Sequence, residues 1–497
     1  MIDLDNCRTE PAPVEPWDAG APKINGPKIF AASPGNPLFQ PLAVSGARPL
    51  EFKAEGLPAG LAIDSSTGLI TGSAGKIAHD VASVTVTNVH GADTCELEIV
   101  IGGPLALTPP LGWNCFNCWG REIDADKVRA AADAMVSSGL AAHGYNYVNI
   151  DEGRQGNREG NGALQPNEKF PDMQGLCDYV HGLGLRIGIY STPWVKSYAG
   201  YTGGSTGRCV RSDRDKNRIE EGGRYFGETP CHNQDVAQWA RWGIDYLKYD
   251  WGPWKVPDVQ AMSEALAGCG RDIVYSLSNS APFDGAADWA RLGNCWRTTG
   301  DITDTWDSLQ EIAFSQDRWT PYACPGHWND PDMLVVGRLG WGKVRENRLT
   351  RDEQITHITM WAVLAAPMLA GCDLTGLDDF TIRLLCNDEV LAVNQDSGGE
   401  QGYCIRELRR SDESGRNVVH QCVYRRHLAD PGAPGLAVAM FNRADAPAVV
   451  EVSWDELGVS GPRTVRNLWA RKDAGVFDGA FAAGVPAHGA QLFRVSA

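Results

Sequence analysis

The chain has 497 residues, which is too long for one small core and suggests about two to four domains. Its 45 Lys and Arg residues against 62 Asp and Glu residues give a formal net charge of −17, which argues against binding to nucleic-acid phosphates or to an anionic membrane surface. A neutral substrate fits this charge better. The 17 Trp residues suggest flat apolar platforms for a sugar ring, although most of them are expected in the core.

The sequence carries no visible targeting or metal-binding signal. It has no apolar run of about 18 residues that could span a membrane, and its N-terminus has neither a basic start nor an apolar stretch. The protein is therefore expected to be cytoplasmic, or secreted or periplasmic if a signal peptide has been removed. Cys115 and Cys118 form a close pair, but no second pair or His cluster completes a zinc site. Cys209 and Cys231 could close the insertion between them as a disulfide or remain free thiols.

The N-terminal fifth of the chain contains a tail and a β-rich segment. Residues 1–24, rich in Pro and acidic residues, are predicted to form an extended or loosely attached tail. Short alternating runs such as 82–87 and 95–100, separated by Gly and Pro turns, predict a β-sandwich over residues 25–105. The segment 56–72, with its Gly-Leu-Pro-Ala-Gly-Leu run, resembles the immunoglobulin-like modules attached to bacterial carbohydrate enzymes.

From residue 106 to residue 398, short apolar runs alternate with amphipathic helical stretches. Helical periodicity covers residues 124–140 and 352–366, each with acidic residues near its start. The predicted strands lie at residues 144–151, 185–191, 244–252, 273–278 and 295–301. Such alternation over this length predicts a (β/α)8 barrel. A doubly wound sheet is the competing architecture, but no Gly-rich nucleotide turn follows the first strand.

The last part of the chain, residues 399–497, returns to β-type sequence. Its apolar runs at 418–424 and 436–441 are separated by polar and Gly-rich turns. They predict an antiparallel β-sandwich packed on the barrel. Spacing or support of the barrel is the expected role of the two β modules, since neither shows a clear aromatic stripe.

Nearly every predicted barrel strand ends in polar residues. These are Asn114, Asp151 with Glu152, Tyr190, Lys248 with Asp250, Ser278, Arg297 with Asp301, and Asp330 with Asp332. Because the C-terminal ends of the strands form the active face of such a barrel, they predict a polar mouth lined by carboxylates and aromatic rings. Each Asp taken alone could equally be a helix N-cap or a partner in a structural ion pair.

Two of these carboxyl groups, Asp250 and Asp301, can supply the pair that hydrolysis of a glycosidic bond requires. One must be ionised to attack or to activate water, and the other must protonate the leaving oxygen. Lys248 leaves the same face of the strand as Asp250 and is expected to keep it ionised, whereas the less polar surroundings of Asp301 would let it hold a proton. Arg297 could donate to a sugar hydroxyl or form an ion pair with Asp332.

Five stretches in register resemble glycoside hydrolase family 27. They are residues 109–114, 147–151, 248–251, 296–302 and 328–334, and Asn394-Gln395-Asp396 extends the likeness. The family contains α-galactosidases, α-N-acetylgalactosaminidases, β-L-arabinopyranosidases and isomaltodextranases. The resemblance implies a central (β/α)8 barrel and a retaining double displacement that needs neither a cofactor nor a metal.

The resemblance also implies roles for individual residues. Asp250 matches the nucleophile and Asp301 the acid/base. Asp151 matches the carboxylate that holds the 4-hydroxyl of the sugar, Lys248 a donor to the ring hydroxyls, and Arg297 the contact to the 2-hydroxyl. The other candidate substrate-binding residues are Trp113, Phe116, Glu152, Tyr190, Ser278, Asp332 and Met333.

Several positions depart from the family pattern. Glu152 stands where α-galactosidases usually have an Asp that grips the 6-hydroxyl, and its extra methylene pushes the carboxylate into the space of the hydroxymethyl group. This favours β-L-arabinopyranose, which lacks that group. Phe116 and Arg154 stand where Trp residues are common. The loop 278–281 lacks the Glu-Trp pair of many α-galactosidases, which leaves recognition at the 2-position open.

The sequence therefore predicts a retaining exo-glycosidase that cleaves terminal α-D-galactosidic or like-configured linkages of an oligo- or polysaccharide through a covalent glycosyl intermediate on Asp250. The alternative is a β-L-arabinopyranosidase, or an α-glucan-acting enzyme such as an isomaltodextranase. A non-catalytic carbohydrate-binding protein is a further alternative, which the presence of both Asp250 and Asp301 disfavours.

Overall fold

The computed structural model describes residue 4 and residues 7–212, 221–411, 417–430, 432 and 434–497. The described part of the chain forms an N-terminal sandwich, a parallel barrel and a C-terminal sandwich. No helix among the described residues is long and apolar enough to cross a membrane. Twelve of the 17 Trp side chains are buried, so most of the Trp content serves the core, as expected. Cys209 and Cys231 are both free thiols.

The N-terminal module is an immunoglobulin-like sandwich, as predicted. Its strands are β1 (Lys23–Ile24), β2 (Ile29–Ala32), β3 (Leu38–Gln40), β4 (Val44–Ser45), β5 (Glu51–Glu55), β6 (Leu61–Ile63), β7 (Ile70–Gly72), β8 (Ala78–Asn88) and β9 (Gly91–Ile101). One sheet has the order β2-β9-β8-β5 and the other β3-β7-β6. Alternate residues of β8 and β9, including Val84, Val86 and Ile99, point between the sheets and are fully buried.

Eight parallel strands form the predicted barrel in the ring order β20-β19-β18-β17-β14-β11-β10-β21. After β20, Leu334 closes the ring, because its N–H donates to the carbonyl of Leu369 at 2.8 Å and its carbonyl accepts from the N–H of Gly371 at 2.9 Å. The strands of this region, with two hairpins, are β10 (Leu111–Asn114), β11 (Tyr147–Ile150), β12 (Gln155–Arg158), β13 (Leu164–Pro166), β14 (Arg186–Ser191), β15 (Ser205–Arg211), β16 (Phe226–Pro230), β17 (Tyr246–Asp250), β18 (Val274–Ser278), β19 (Cys295–Arg297), β20 (Trp328–Asp330) and β21 (Met368–Ala370).

Helices surround the barrel. They are α1 (Phe116–Trp119), α2 (Ala125–Ser137), α3 (Met173–Gly182), α4 (His232–Trp242), α5 (Val256–Ala267), α6 (Ala286–Leu292), α7 (Trp306–Ala313), α8 (Arg351–Val363), α9 (Asp379–Leu385) and α10 (Asp388–Asn394). Short 3₁₀ turns lie at Gly120–Glu122, Ala141–His143, Glu221–Gly223, Phe283–Gly285, Asp317–Tyr322 and Leu374–Gly376. The predicted helix at 124–140 begins where the Asp124 side chain accepts from the N–H of Lys127. The predicted helix at 352–366 begins at a capping box of Thr350 and Glu353.

The C-terminal module is the predicted antiparallel sandwich. It contains the short helix α11 (Trp454–Leu457) and the strands β22 (Tyr403–Ser411), β23 (Asn417–Leu428), β24 (Gly435–Asn442), β25 (Ala448–Ser453), β26 (Arg463–Asn467), β27 (Lys472–Phe477), β28 (Ala480–Val485) and β29 (Ala490–Ser496). A six-stranded sheet of order β22-β23-β24-β29-β26-β27 faces the pair β25-β28. Helix α8 is buried along its length because β24 and β29 cover its outer face. The fully buried Arg426 donates to the carbonyl of Ala362 at 3.0 Å, which fixes this sheet to the barrel.

The immunoglobulin-like module docks on the N-terminal ends of the barrel strands. Arg186, at the start of β14, donates to the carbonyl of Phe39 at 2.8 Å and to Oε1 of Gln40 at 2.7 Å. Asp272 accepts from the N–H of Ser33 and from Nδ2 of Asn36, both at 2.8 Å. The module therefore lies at the end of the barrel opposite to the C-terminal ends of the strands and leaves those ends free for a site.

Candidate active site

The inward face of β17 carries the centre of the site. Residues two apart on a strand share a face, so Tyr246, Lys248 and Asp250 all point into the barrel. Tyr246 packs among apolar side chains in the lower part of the barrel, while Asp250 ends the strand at the mouth, in register with Ser278 of β18. The strand thus places an ammonium and a carboxylate one above the other at the active face.

Lys248 is bound to Asp151 at the end of β11. Its ammonium donates to Oδ2 of Asp151 at 2.8 Å, and the other carboxylate oxygen of Asp151 accepts from the N–H of Glu152 at 2.9 Å. Burial would lower the pKa of Lys248, but the carboxylates of Asp151 and Asp250 outweigh it and raise the pKa above its usual range. Lys248 is therefore charged, and its direct partner is Asp151.

Asp250 is buried and holds its proton more tightly than the sequence suggests. Burial raises the pKa of Asp250 to about 7; Lys248 opposes this rise, and the negative charges of Asp151 and Asp301 add to it. Among the described residues, Oδ1 of Asp250 accepts no hydrogen bond of good geometry, although the buried hydroxyl of Tyr190, which also lacks such a bond, interacts with the Asp250 carboxylate. The Lys248 charge lowers the pKa of Asp250, as expected, but burial outweighs it, because the Lys248 ammonium is hydrogen-bonded to Asp151 rather than to Asp250.

Asp301 lies at the rim of the mouth, with 73% of its side chain exposed. Its Oδ1 is 3.1 Å from Nη2 of Arg297, and the same guanidinium nitrogen is 2.9 Å from Oδ2 of Asp332. The surrounding protein raises the pKa of Asp301, but Arg297 and Lys248 outweigh this effect and leave the pKa below its ordinary value. The expectation that Asp301 holds a proton in apolar surroundings is thus also wrong, since the exposed carboxylate is paired with Arg297.

Asp332 completes the ion-pair network. Of the two uses predicted for Arg297, the ion pair with Asp332 is present. Burial raises the pKa of Asp332 to about 6, although Arg297 opposes the rise. Its backbone has φ of 107°, a strained conformation for a residue other than Gly, and its Oδ2 accepts from the N–H of Ile302 at 2.8 Å. Asp332 therefore ties β20 to the segment that carries Asp301.

The pocket at the mouth combines predicted residues with some that the sequence analysis missed. Its lining is formed by Asn114, Tyr246, Lys248, Ser276, Ser278, Arg297, Asp330, Asp332, Met333 and Leu369. Tyr246 and Ser276 were missed, although each lies two residues before a predicted lining residue and so shares its face. Leu369 was missed because β21 ends without a polar residue. The rings of Phe116 and Tyr190 lie 5.6 and 5.9 Å from the Lys248 ammonium.

Trp113 and Arg154 do not line this pocket. The indole of Trp113 is fully buried between the barrel and its helices and donates to the carbonyl of Cys372 at 2.7 Å, because on β10 it is Asn114 that faces inward. Arg154 is fully buried as well, 5.8 Å from the ring of Trp242 on α4. Burial lowers the pKa of Arg154 to about 10. Arg154 therefore lies behind the wall of the site, where its Nη2 is 3.5 Å from the carbonyl oxygen of Tyr190.

Glu152 lies at the wall of the site. Its Oε2 accepts from the N–H of Ala199 at 2.9 Å, and the hydroxyl of Ser197 adds a second hydrogen bond. Burial raises the pKa of Glu152 despite these two bonds. The carboxylate is thus fixed by the loop that follows β14, on the side of the mouth next to Asp151.

A larger cavity lies at the opposite end of the barrel, between the immunoglobulin-like module and the strand N-termini. Its charged groups are paired within the protein: Arg186 with Phe39 and Gln40, and Asp245 with Arg271. It contains no pair of carboxylates at strand C-termini, so the chemistry belongs to the mouth. Among the described residues, no group of three or more His, Cys, Asp or Glu side chains is placed to hold a metal ion.

Family models match the barrel and both sandwich modules. The family model described as Alpha galactosidase A matches residues 108–217 and 216–396. The model of the alpha galactosidase C-terminal beta sandwich domain matches residues 423–495, and a model of an Ig domain matches residues 21–100.

Individual proteins resemble the chain over most of its length. Alpha-galactosidase 2 of Arabidopsis thaliana is 35% identical over 423 residues, which cover 83% of this chain and 96% of that protein. A crystal structure from Bacteroides fragilis, described as a candidate alpha-galactosidase/melibiase, has a TM-score of 0.84 at 30% identity and covers 97% of this chain and 99% of its own. A GH27 β-L-arabinopyranosidase from Geobacillus stearothermophilus, in complex with arabinose, has a TM-score of 0.68 at 28% identity and covers 79% of this chain and 98% of its own.

Proposed function

The chain belongs to glycoside hydrolase family 27, and we propose that it is a retaining exo-glycosidase that removes a terminal α-D-galactosyl residue, or a sugar of the same ring configuration, from an oligo- or polysaccharide. The supporting observation is the pair of carboxylates at the mouth, with Asp250 buried at the end of β17 and Asp301 exposed at the rim. Because its relatives are enzymes, the non-catalytic alternative is set aside.

In the first step, Asp250 is the nucleophile. One of its carboxylate oxygens bonds to the anomeric carbon as the bond from that carbon to the glycosidic oxygen breaks, and the bonding electrons move to the departing oxygen. Asp301 donates its proton to that oxygen. Its exposed position suits this role, since the leaving group lies toward solvent while the sugar ring lies in the pocket.

In the second step, Asp301 acts as the base. Its carboxylate takes a proton from water, the water oxygen bonds to the anomeric carbon, and the bond to Asp250 breaks to restore the free carboxylate. Two successive inversions leave the anomeric configuration unchanged.

The proton must lie on Asp301 for the first step, although the protein alone favours it on Asp250. A sugar hydroxyl that donates to Oδ1 of Asp250 stabilises the ionised form and lowers its pKa. Sugar binding therefore moves the shared proton toward Asp301 and couples recognition to catalysis.

Recognition of a neutral sugar rests on fixed charges. Asp151 accepts from Lys248 and keeps lone pairs for a sugar hydroxyl, while Lys248 and Arg297 have further N–H groups to donate. Each of these charged groups is held by an ion pair within the protein, so the donors and acceptors are pre-organised before the sugar arrives.

A β-L-arabinopyranosidase is the second candidate, and Glu152 favours it. The loop after β14 holds the Glu152 carboxylate beside Asp151, where the longer side chain would crowd a hydroxymethyl group on the sugar. A panel of nitrophenyl glycosides separates the two candidates. If the α-D-galactoside is turned over far faster than the β-L-arabinopyranoside, the arabinopyranosidase proposal is wrong. If neither glycoside is hydrolysed, and an α-glucan is not hydrolysed either, the proposed substrate class is wrong.

A further inference from the structure

The segment that follows Asp301 is held far more firmly than Asp301 itself. The Asp301 side chain is 73% exposed and pairs with Arg297, whereas Ile302 and Asp304 are buried. A group that must deliver a proton to a leaving oxygen has to be held within a fraction of an ångström of its working position. That precision must come from the residues that anchor the segment.

Asp304 is the strongest of these anchors. Its fully buried carboxylate accepts from both Nη atoms of Arg345, at 2.7 and 3.0 Å, and from the backbone N–H, Nε and Nη2 of Arg348, at 3.0, 3.0 and 2.6 Å. Burial would raise the pKa of Asp304, but these bonds outweigh it and lower the pKa to about 2. Asp304 is therefore ionised throughout the range in which a glycosidase works.

The two arginines connect this segment to the far side of the mouth. Arg345 pairs with Leu339 in a short antiparallel bridge, and the N–H groups of Gly340 and Trp341 donate to the carbonyl of Asn117 at 2.8 and 2.9 Å. Asn117 follows Phe116, whose ring faces Lys248. The contacts of Asp304 thus connect the side of the mouth that carries Asp301 to the side that carries Phe116.

We propose that Asp304, clamped by Arg345 and Arg348, is a positioning residue that aligns Asp301 for proton transfer to the leaving group. The inference rests on the proposed role of Asp301 as acid/base. Asp304 lies three residues beyond Asp301, and its carboxylate is fully buried against Arg345 and Arg348, so it acts through the backbone of the segment rather than by contact with a sugar.

The test compares kcat/KM for two glycosides of the sugar that the enzyme turns over fastest. One carries an alkyl leaving group that needs protonation, and the other a 2,4-dinitrophenyl group that does not. General acid catalysis contributes about 10² to 10⁴ in rate, and misplacement by about 1 Å costs up to about 100-fold. D304N is expected to lower kcat/KM for the alkyl glycoside by about 10- to 100-fold and to change the dinitrophenyl value little.

A second variant, R345Q, guards against misfolding of D304N. It removes two of the five hydrogen bonds but leaves Arg348 to neutralise Asp304, and it is expected to show the same selective loss to a smaller degree. D245N is the matched control. Asp245 is also buried and bound to an arginine, Arg271, but it lies at the opposite end of β17, so its loss should lower the melting temperature and affect both glycosides equally.

D301A separates this inference from the proposed function. If D301A selectively loses the alkyl glycoside while folded D304N and R345Q lose both substrates equally, or neither, the positioning role of Asp304 is wrong and the acid/base role stands. If D301A itself shows no selectivity, the acid/base assignment fails, and the inference fails with it.

Discussion

The ammonium of Lys248 on β17 donates to the carboxylate of Asp151 at 2.8 Å. Asp151 follows β11, and one strand, β14, lies between β11 and β17, whereas Asp250 lies only two residues beyond Lys248 on the same strand. This choice of partner leaves Asp250 without a direct counter-ion, and burial raises the pKa of Asp250 to about 7 although the Lys248 charge opposes the rise. The proton affinities of the two proposed catalytic carboxyls therefore differ because Arg297 pairs with Asp301, whereas Lys248 pairs with Asp151 and not with Asp250.

The pH dependence of the free enzyme should reflect this order. The pair carries one proton between the lowered pKa of Asp301 and the pKa of about 7 at Asp250, and only that form can place a proton on Asp301 while Asp250 attacks. We expect kcat/KM to fall as the pH rises through about 7, because the last shared proton is lost. With a 2,4-dinitrophenyl glycoside this fall should disappear. Activity on an alkyl glycoside that kept rising above pH 7 would contradict the account.

Stability should respond oppositely to substitution of the two carboxyls. The raised pKa of Asp250 means that its favourable contribution is complete below about pH 4 and is lost as the pH rises through about 7. D250N should therefore raise the melting temperature at about pH 8 and change it little at about pH 4. The pKa of Asp301 is lowered instead, so its contribution is present above its ordinary pKa, and D301N should not raise the melting temperature at about pH 8. Equal shifts for both variants would be inconsistent with these environments.

A double-mutant cycle tests the partner of Lys248. K248M leaves the buried Asp151 charge without its cation, which costs about 3 to 5 kcal/mol for a buried pair. K248M and D151N each remove the same ion pair. Their effects on the free energy of unfolding, measured with denaturant, should therefore be coupled by about 1 to 3 kcal/mol. The cycle of K248M with D250N is the control and should show weaker coupling. Stronger coupling to Asp250 would reverse the assignment.

The sequence predicted the barrel, both sandwiches and the inward face of β17, because strand periodicity and polar strand ends are local signals. It could not predict the proton affinities of Asp250 and Asp301. Those depend on the pairing of Lys248 with Asp151, 97 residues away in the chain, and on the exposure of the Asp301 side chain to solvent. It also misplaced Trp113, since an aromatic residue beside a polar strand end does not reveal which of the two faces inward.

Substitution of Glu152 should change the choice of sugar. E152D withdraws the carboxylate by one methylene, a difference that is worth about 10-fold or more in discrimination within a fitted pocket. We expect the ratio of kcat/KM for the α-D-galactoside to that for the β-L-arabinopyranoside to rise by at least this factor. E152Q keeps the length of the side chain and serves as the control, with a ratio near that of the wild type. An unchanged ratio in E152D would remove Glu152 from the specificity argument.

The central claim is that the reaction passes through a covalent bond between the sugar and Asp250. In D301A, a 2,4-dinitrophenyl glycoside can still form this bond, but its hydrolysis lacks the base, so the intermediate should accumulate. Peptide mass mapping of the quenched protein should then place one glycosyl group on the peptide that contains Asp250, and D250N should carry none. A glycosyl group on a different residue, or release of dinitrophenol by D250N at the wild-type rate, would contradict the mechanism.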